Sequence, residues 1–199
     1  MDRITRLDEI VARYNLNEHP FYQDWAAGTL PTEKLQAYAA DFGHFLKFIA
    51  KGWERIGHGN IAAEERYHET LWQDFQSSIE SGSELRNQET SDLVAESEKY
   101  LADPATALGA LYAYEVQQPK TAASKLLGLD RHYNVSPDGK RYFVVHADDV
   151  EEINILRTDI DNLSEEEFSQ AEASCRVICE KLWKALDGAY GQRALAVGV

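Results

Sequence analysis

The apolar residues recur at three- and four-residue intervals almost from one end of the chain to the other, and no stretch sustains the alternation of a strand. A pattern of that period cannot settle as a sheet, because many of its apolar side chains would turn to water. The spacing therefore predicts an all-α protein with helices near residues 2–14, 17–27, 31–56, 60–81, 89–101, 104–128, 147–160 and 164–190. Pro31 and Pro104 fall in first turns, where a missing N–H costs nothing. Asp103 stands before Pro104 as an N-cap, and Ser164 with Glu167 matches a capping box. The longest segment read as irregular is 129–146, LDRHYNVSPDGKRYFVVH, whose S-P-D-G carries a turn signal. A compact bundle of seven or eight helices follows, one domain over residues 1–190 with a tail over 191–199.

Composition narrows the function. The net charge is −14, and the basic residues are scattered among more numerous acids, which excludes a nucleic-acid partner. No apolar run approaches the roughly 20 residues that span a bilayer. The opening MDRITRLDEIVARYNL is amphipathic and carries acids, unlike a signal peptide, so a cytoplasmic protein with no membrane partner is expected. Cys175 and Cys179 lie one helical turn apart, which suits neither a disulfide nor a zinc site. They are expected to be reduced residues of a packed face.

The stretch 110–129, ALYAYEVQQPKTAASKLLGL, poses the chemical question. Glu115 stands among Leu111, Tyr112, Tyr114 and Val116, with Pro119 and then Lys125 further along. A buried carboxylate must be paired, bound to a cation, or protonated. Partners are available on other predicted helices. In NIAAEERYHETLWQDF (60–75), Glu64 lies about 40° and Glu65 about 60° from His68 around a helix, so either pair can face one point. An acid and an imidazole at such spacing is the arrangement by which bundle helices hold dimetal centres. YFVVHADDVEEINILR (142–157) adds His146, Asp149 and Glu152. Two histidines and at least four carboxylates form a donor set suited to iron or manganese rather than to structural zinc. The same acids after His146 would also serve a helix N-terminus, where negative charge is favoured.

Four blocks in order resemble the family of the chlamydial death-domain-associating protein and its bacterial relatives, within the haem-oxygenase-like dimetal oxidase (TenA/PqqC-like) superfamily. They are HPFYQDWAAGTLPTEKLQAYAADF, NIAAEERYHETLWQDF, ALYAYEVQQPKTAASKLLGL and YFVVHADDVEE, between about residue 17 and residue 157. The resemblance implies a seven-helix haem-oxygenase-like bundle, usually a homodimer, with two iron or manganese ions (a mixed pair included) between the helices and dioxygen as co-substrate. It further implies para-aminobenzoate synthesis at the enzyme's own expense, the product's ring coming from Tyr22 and its amine from Lys125. Metal ligands fall on Glu64, His68, Glu115, His146 and Asp149, and Tyr38, Trp72, Tyr114 and Tyr142 match aromatic positions lining the site.

The chain departs from the family pattern at three places. Residues are missing between the acid pair and His68, so Glu64 and Glu65 both stand for one ligand position. Glu152 replaces a histidine at the end of the fourth block, and Phe42 and Gly43 stand where the family has paired tyrosines. On one regular helix His146, Asp149 and Glu152 would fan over about 120°, too broad for a single centre unless His146 precedes the first turn. Alternative functions are a dimetal oxidase acting on a free small molecule, a metal-free TenA-like hydrolase, and a non-catalytic interaction protein.

Overall fold

The structure, a computed structural model, describes residues 1–191. The part of the expected tail from residue 192 onward lies outside the described residues. Eleven α-helices and one 3-10 turn, Leu16–Glu18, account for the described secondary structure. They are α1 Arg3–Arg13, α2 Pro20–Ala27, α3 Thr32–Leu46, α4 Ile49–Arg55, α5 Gly59–Ser78 and α6 Gln88–Tyr100, followed by α7 Pro104–Glu115, α8 Gln118–His132, α9 Pro137–His146, α10 Glu151–Asp161 and α11 Glu165–Tyr190. No strand occurs among the described residues, and no described helix is long and apolar enough to cross a membrane.

The all-α expectation holds, and the differences lie in where helices break. The span 31–56 is interrupted at Lys47–Phe48, where the Phe48 N–H bonds back three residues to Phe45. The span 104–128 is broken between Glu115 and Gln118. Pro119 is the cause, because it has no N–H for the Glu115 carbonyl and its ring would press on that oxygen. The segment expected to be irregular is instead the end of α8 and the whole of α9. Ser136 accepts the Gly139 N–H, and Pro137 occupies the first helical position, so S-P-D-G starts a helix here. The helix expected from 147 begins only at Glu151. Asp103 and the Ser164/Glu167 capping box stand where the sequence placed them.

The core is built around α7, whose side chains are buried on every face from Ala107 to Glu115. A helix apolar all round can lie only in an interior. It packs against the 26-residue α11 on one side and against α4 and α10 on another. α5 lies on α9, and α8 bridges α2 and α9. Cys175 and Cys179 are free thiols buried on α11, as expected for packed residues.

Gly109 lets α7 and α11 approach, since a Cβ there would fall 1.8 Å from the Ala171 carbonyl oxygen. Gly109→Ala is therefore expected to destabilise the fold by about 3 kcal/mol, read as a lower urea midpoint at unchanged slope. An unchanged midpoint would mean that the two helices separate freely.

Candidate functional site

The break after Glu115 leaves that side chain at the end of α7, only 2% exposed, with the Trp53 indole of α4 donating to its Oε1 at 3.1 Å. From α5 come Glu65, buried, and His68, half-buried, with His68 Nδ1 2.8 Å from Glu65 Oε1. From the last turn of α9 comes His146, which stands edge-on to His68 at 4.5 Å between ring centres. Its Nδ1 lies 2.6 Å from the Tyr142 carbonyl. A carbonyl can only accept, so Nδ1 carries the proton and the lone pair of Nε2 is left free, the usual condition of a ligating histidine. One donor atom from each of Glu65, His68 and His146 lies within 4.8 Å of the others.

Glu152, in the first turn of α10, completes the acidic group. Because α9 ends at His146 and α10 starts at Glu151, the fan expected of one regular helix does not arise. His146 and Glu152 converge from two helices, with half-buried Asp149 in the link accepting the Glu151 N–H. Burial raises the Glu115 carboxyl well above the usual range, and the charges of Glu152 and Glu65 raise it further. Glu152 is pushed up to about 9 by burial, then by Glu65 and Asp149. His146 is lowered by burial against the opposing pull of Glu65. No ion pair among the described residues joins Glu65, Glu115 or Glu152 to a lysine or arginine.

A second cluster adjoins the first. Tyr22 of α2 and Tyr38 of α3 share a hydrogen bond of 2.8 Å between hydroxyls. Lys125 of α8, 4% exposed, holds its Nζ 4.2 Å from the Tyr22 ring centre and 3.5 Å from the Tyr38 hydroxyl. Burial alone lowers the Lys125 pKa to about 7. Tyr114 of α7 and Tyr142 of α9 make a second hydroxyl pair at 2.7 Å, and the Gln118 amide donates to both. Trp72 of α5 joins the clusters, 4.9 Å from the Tyr142 ring and 6.1 Å from that of Tyr38. The phenols of Tyr22, Tyr38, Tyr114 and Tyr142 are all raised by burial.

Of the residues expected from sequence, Glu65, His68, Glu115, His146 and Glu152 converge, with Asp149 at the edge. Glu64 is exposed, its charge reaching the cluster only as a lesser contribution at Glu152, so between the two acids left open the buried one is Glu65. Trp53 and Gln118 were not foreseen. Gln118 was within reach of sequence reasoning, being four residues after Tyr114 on a helical stretch. Trp53 meets Glu115 only through tertiary packing.

Comparison with known proteins bears on this geometry. The chain is 34% identical over 167 residues to the 4-aminobenzoate synthase of Chlamydia pneumoniae, covering 73% of this chain and 75% of that one. With the 4-aminobenzoate synthase of Chlamydia muridarum it shares 30% identity over 211 residues, 94% of this chain and 89% of the relative. The chain belongs to the 4-aminobenzoate synthase family. The enzyme of that name from Nitrosomonas europaea is 29% identical, over 93% of this chain and 89% of its own. The TENA/THI-4/PQQC family profile matches residues 4–53. Among solved structures, a domain of unknown function with a haem-oxygenase-like fold from Shewanella denitrificans superposes with a TM-score of 0.78 at 18% identity, covering 96% and 93% of the two chains. A TenA homologue from Pseudomonas syringae superposes at 0.75 and 15% identity, covering 95% and 91%. These two establish the fold as haem-oxygenase-like, and the named relatives make the family one of enzymes.

The donor set fits metal ions. Three buried carboxylates and two imidazoles, with no lysine or arginine paired to those acids among the described residues, form an interior that a divalent cation would neutralise. Glu65→Gln is expected to lower retention of manganese or iron, measured by elemental analysis after dialysis, while Glu64→Gln retains both. Trp53→Phe, which removes the donor orienting Glu115, should weaken retention about 10–100-fold. Equal retention by Glu65→Gln and Glu64→Gln would take Glu65 out of the site.

Proposed function

We propose that the chain is a metal-dependent oxidase that makes 4-aminobenzoate from itself, Tyr22 giving the ring and Lys125 the nitrogen. The observation that carries this reading is Lys125, a buried amine without a carboxylate partner among the described residues, poised over the face of the Tyr22 ring. An isolated buried ammonium is costly. With its pKa lowered to about 7, Lys125 is in part free amine at neutral pH, its Nζ 4.2 Å from the centre of the ring it would aminate. The relatives' shared name and the adjoining metal-type donor set support the same reading.

Glu65, His68 and His146 would hold one ion, leaving Glu115, Glu152 and Asp149 as donors for another. Iron or manganese bound there would supply the electrons that reduce dioxygen. The protein's own part is arrangement. Trp53 fixes the Glu115 carboxylate, and the Tyr142 carbonyl fixes the His146 ring. Trp72, Tyr114 and Tyr142 stand between the acids and the Tyr22 ring and exclude water from the path. Burial keeps the Tyr22 phenol protonated at neutral pH, and its hydroxyl proton has Tyr38 as its nearest partner.

Two measurements test this. Aerobic incubation with iron and manganese should convert Tyr22 and Lys125, seen as mass losses at those residues, at a rate that rises with pH through about 7 and then levels as Lys125 deprotonates. Intact Tyr22 and Lys125 beside consumption of an added small molecule would instead favour a free substrate. Lys125→Met should abolish nitrogen-containing product. It should also stabilise the fold, since it removes an unpaired buried amine, by about 1–4 kcal/mol or ~2–4 °C for each kcal/mol. The sign of the pH effect agrees. A lysine pKa depressed from 10.5 to about 7 in the fold means that the unfolded chain binds more protons between those values. Wild-type stability therefore rises with pH across that window, and Lys125→Met removes this contribution.

A further inference from the structure

His19 is fully buried, yet both its ring nitrogens are engaged. It stands at the entrance to α2, only eight residues long and too short to hold itself together. A helix start leaves four N–H groups unanswered. Here Pro20 has none, the Phe21 N–H donates to His19 Nδ1 at 3.1 Å, and the Tyr22 and Gln23 N–H groups donate to the His19 carbonyl at 3.0 and 3.1 Å. The first turn of α2 is therefore anchored by one residue.

Acceptance of the Phe21 N–H means that Nδ1 carries no proton. The ring hydrogen must then sit on Nε2, which lies 3.1 Å from Asp187 Oδ1. Asp187 belongs to the last turns of α11, where the helix dipole disfavours an acid. Its carboxylate can only accept, so it selects the tautomer that leaves Nδ1 bare. Trp183, edge-on at 4.7 Å, limits the tilt of the ring. Tyr22 is the third residue of this helix, and its place over Lys125 and against Tyr38 follows from the first turn.

We propose that His19, held by Asp187 as the Nε2–H tautomer, is the positioning residue that sets Tyr22 against Lys125 and Tyr38. This rests on the synthase reading only for why the position matters. Asp187→Asn tests it, because an amide can face the ring with either its oxygen or its NH2 and no longer imposes the tautomer. The full chain is labelled with 15N in histidine and 13C at tyrosine Cζ. The wild type should show a bare Nδ1 on His19. In Asp187→Asn the Nδ1–H form should appear, and the Tyr22 Cζ resonance should shift while that of Tyr112 stays in place. Tyr22 conversion should fall at least about tenfold, as small misplacements do. Asp187→Glu, which keeps an acceptor, should behave as wild type.

His19→Asn guards against a folding defect, since its side-chain oxygen caps the Phe21 N–H without a choice of tautomer. It should keep the Tyr22 resonance, and adding Asp187→Asn to it should change nothing further. A proton on Nδ1 in the wild type, or a Tyr22 resonance indifferent to Asp187→Asn, overturns the proposal. If Tyr22 is never consumed but its resonance follows the tautomer, the positioning role stands and the synthase reading fails. If it is consumed equally in wild type and Asp187→Asn, the reverse holds.

Discussion

The steric conflict between the Pro119 ring and the Glu115 carbonyl organises this molecule. Were residues 104–132 one rod, Glu115 and Lys125 would be about 15 Å apart along a common axis. The break ends α7 at Glu115, where the Trp53 indole meets the carboxylate, and α8 begins at Gln118. Along α8, Gln118 reaches the Tyr114 and Tyr142 hydroxyls, and Lys125 reaches Tyr22 and Tyr38. One residue without an N–H thus sends an acid and an amine into different surroundings.

That separation decides the electrostatics. A lysine and a glutamate buried together would neutralise each other, and neither would be available for chemistry. Instead burial and neighbouring carboxylate charge raise the proton affinity of Glu115 and Glu152, while Lys125, surrounded by aromatic rings, loses affinity for its own proton. A chain of rings lies between the groups. His146 packs on Tyr142 at 4.3 Å, Tyr142 on Trp72 at 4.9 Å, and Trp72 on Tyr38 at 6.1 Å. The site is two electrostatic environments with an aromatic partition.

Most of this was legible in the sequence wherever it depends on local rules. Helical period gave the fold class, the cap at Asp103 was read from the proline that follows it, and the cap at Ser164 from the glutamate three residues on. The S-P-D-G at 136–139 misled because Ser, Pro and Gly serve turns and helix starts alike, and only the packing of Tyr142 and Phe143 decides for the helix. Pro119 was visible, but whether a proline kinks or ends a helix depends on what packs around it. Glu64 and Glu65 lie at similar angles to His68, so rotation about the α5 axis, set by its packing on α9 and α4, chose between them. The partnership of His19 with Asp187, 168 residues apart, lies beyond any local pattern.

Tyr22 is also a structural residue. Its ring is nearly inaccessible and packs edge-on to Trp25 and Tyr38 at the centre of the α2 contacts. Excising an aromatic ring from such a place leaves a void that costs about 3–5 kcal/mol, a large share of the ~5–15 kcal/mol by which domains are stable. A chain that gives up this side chain becomes a weakened shell of itself, readily opened to proteolysis. Under the proposed chemistry, the supply of product would then be set by how fast new copies are synthesised.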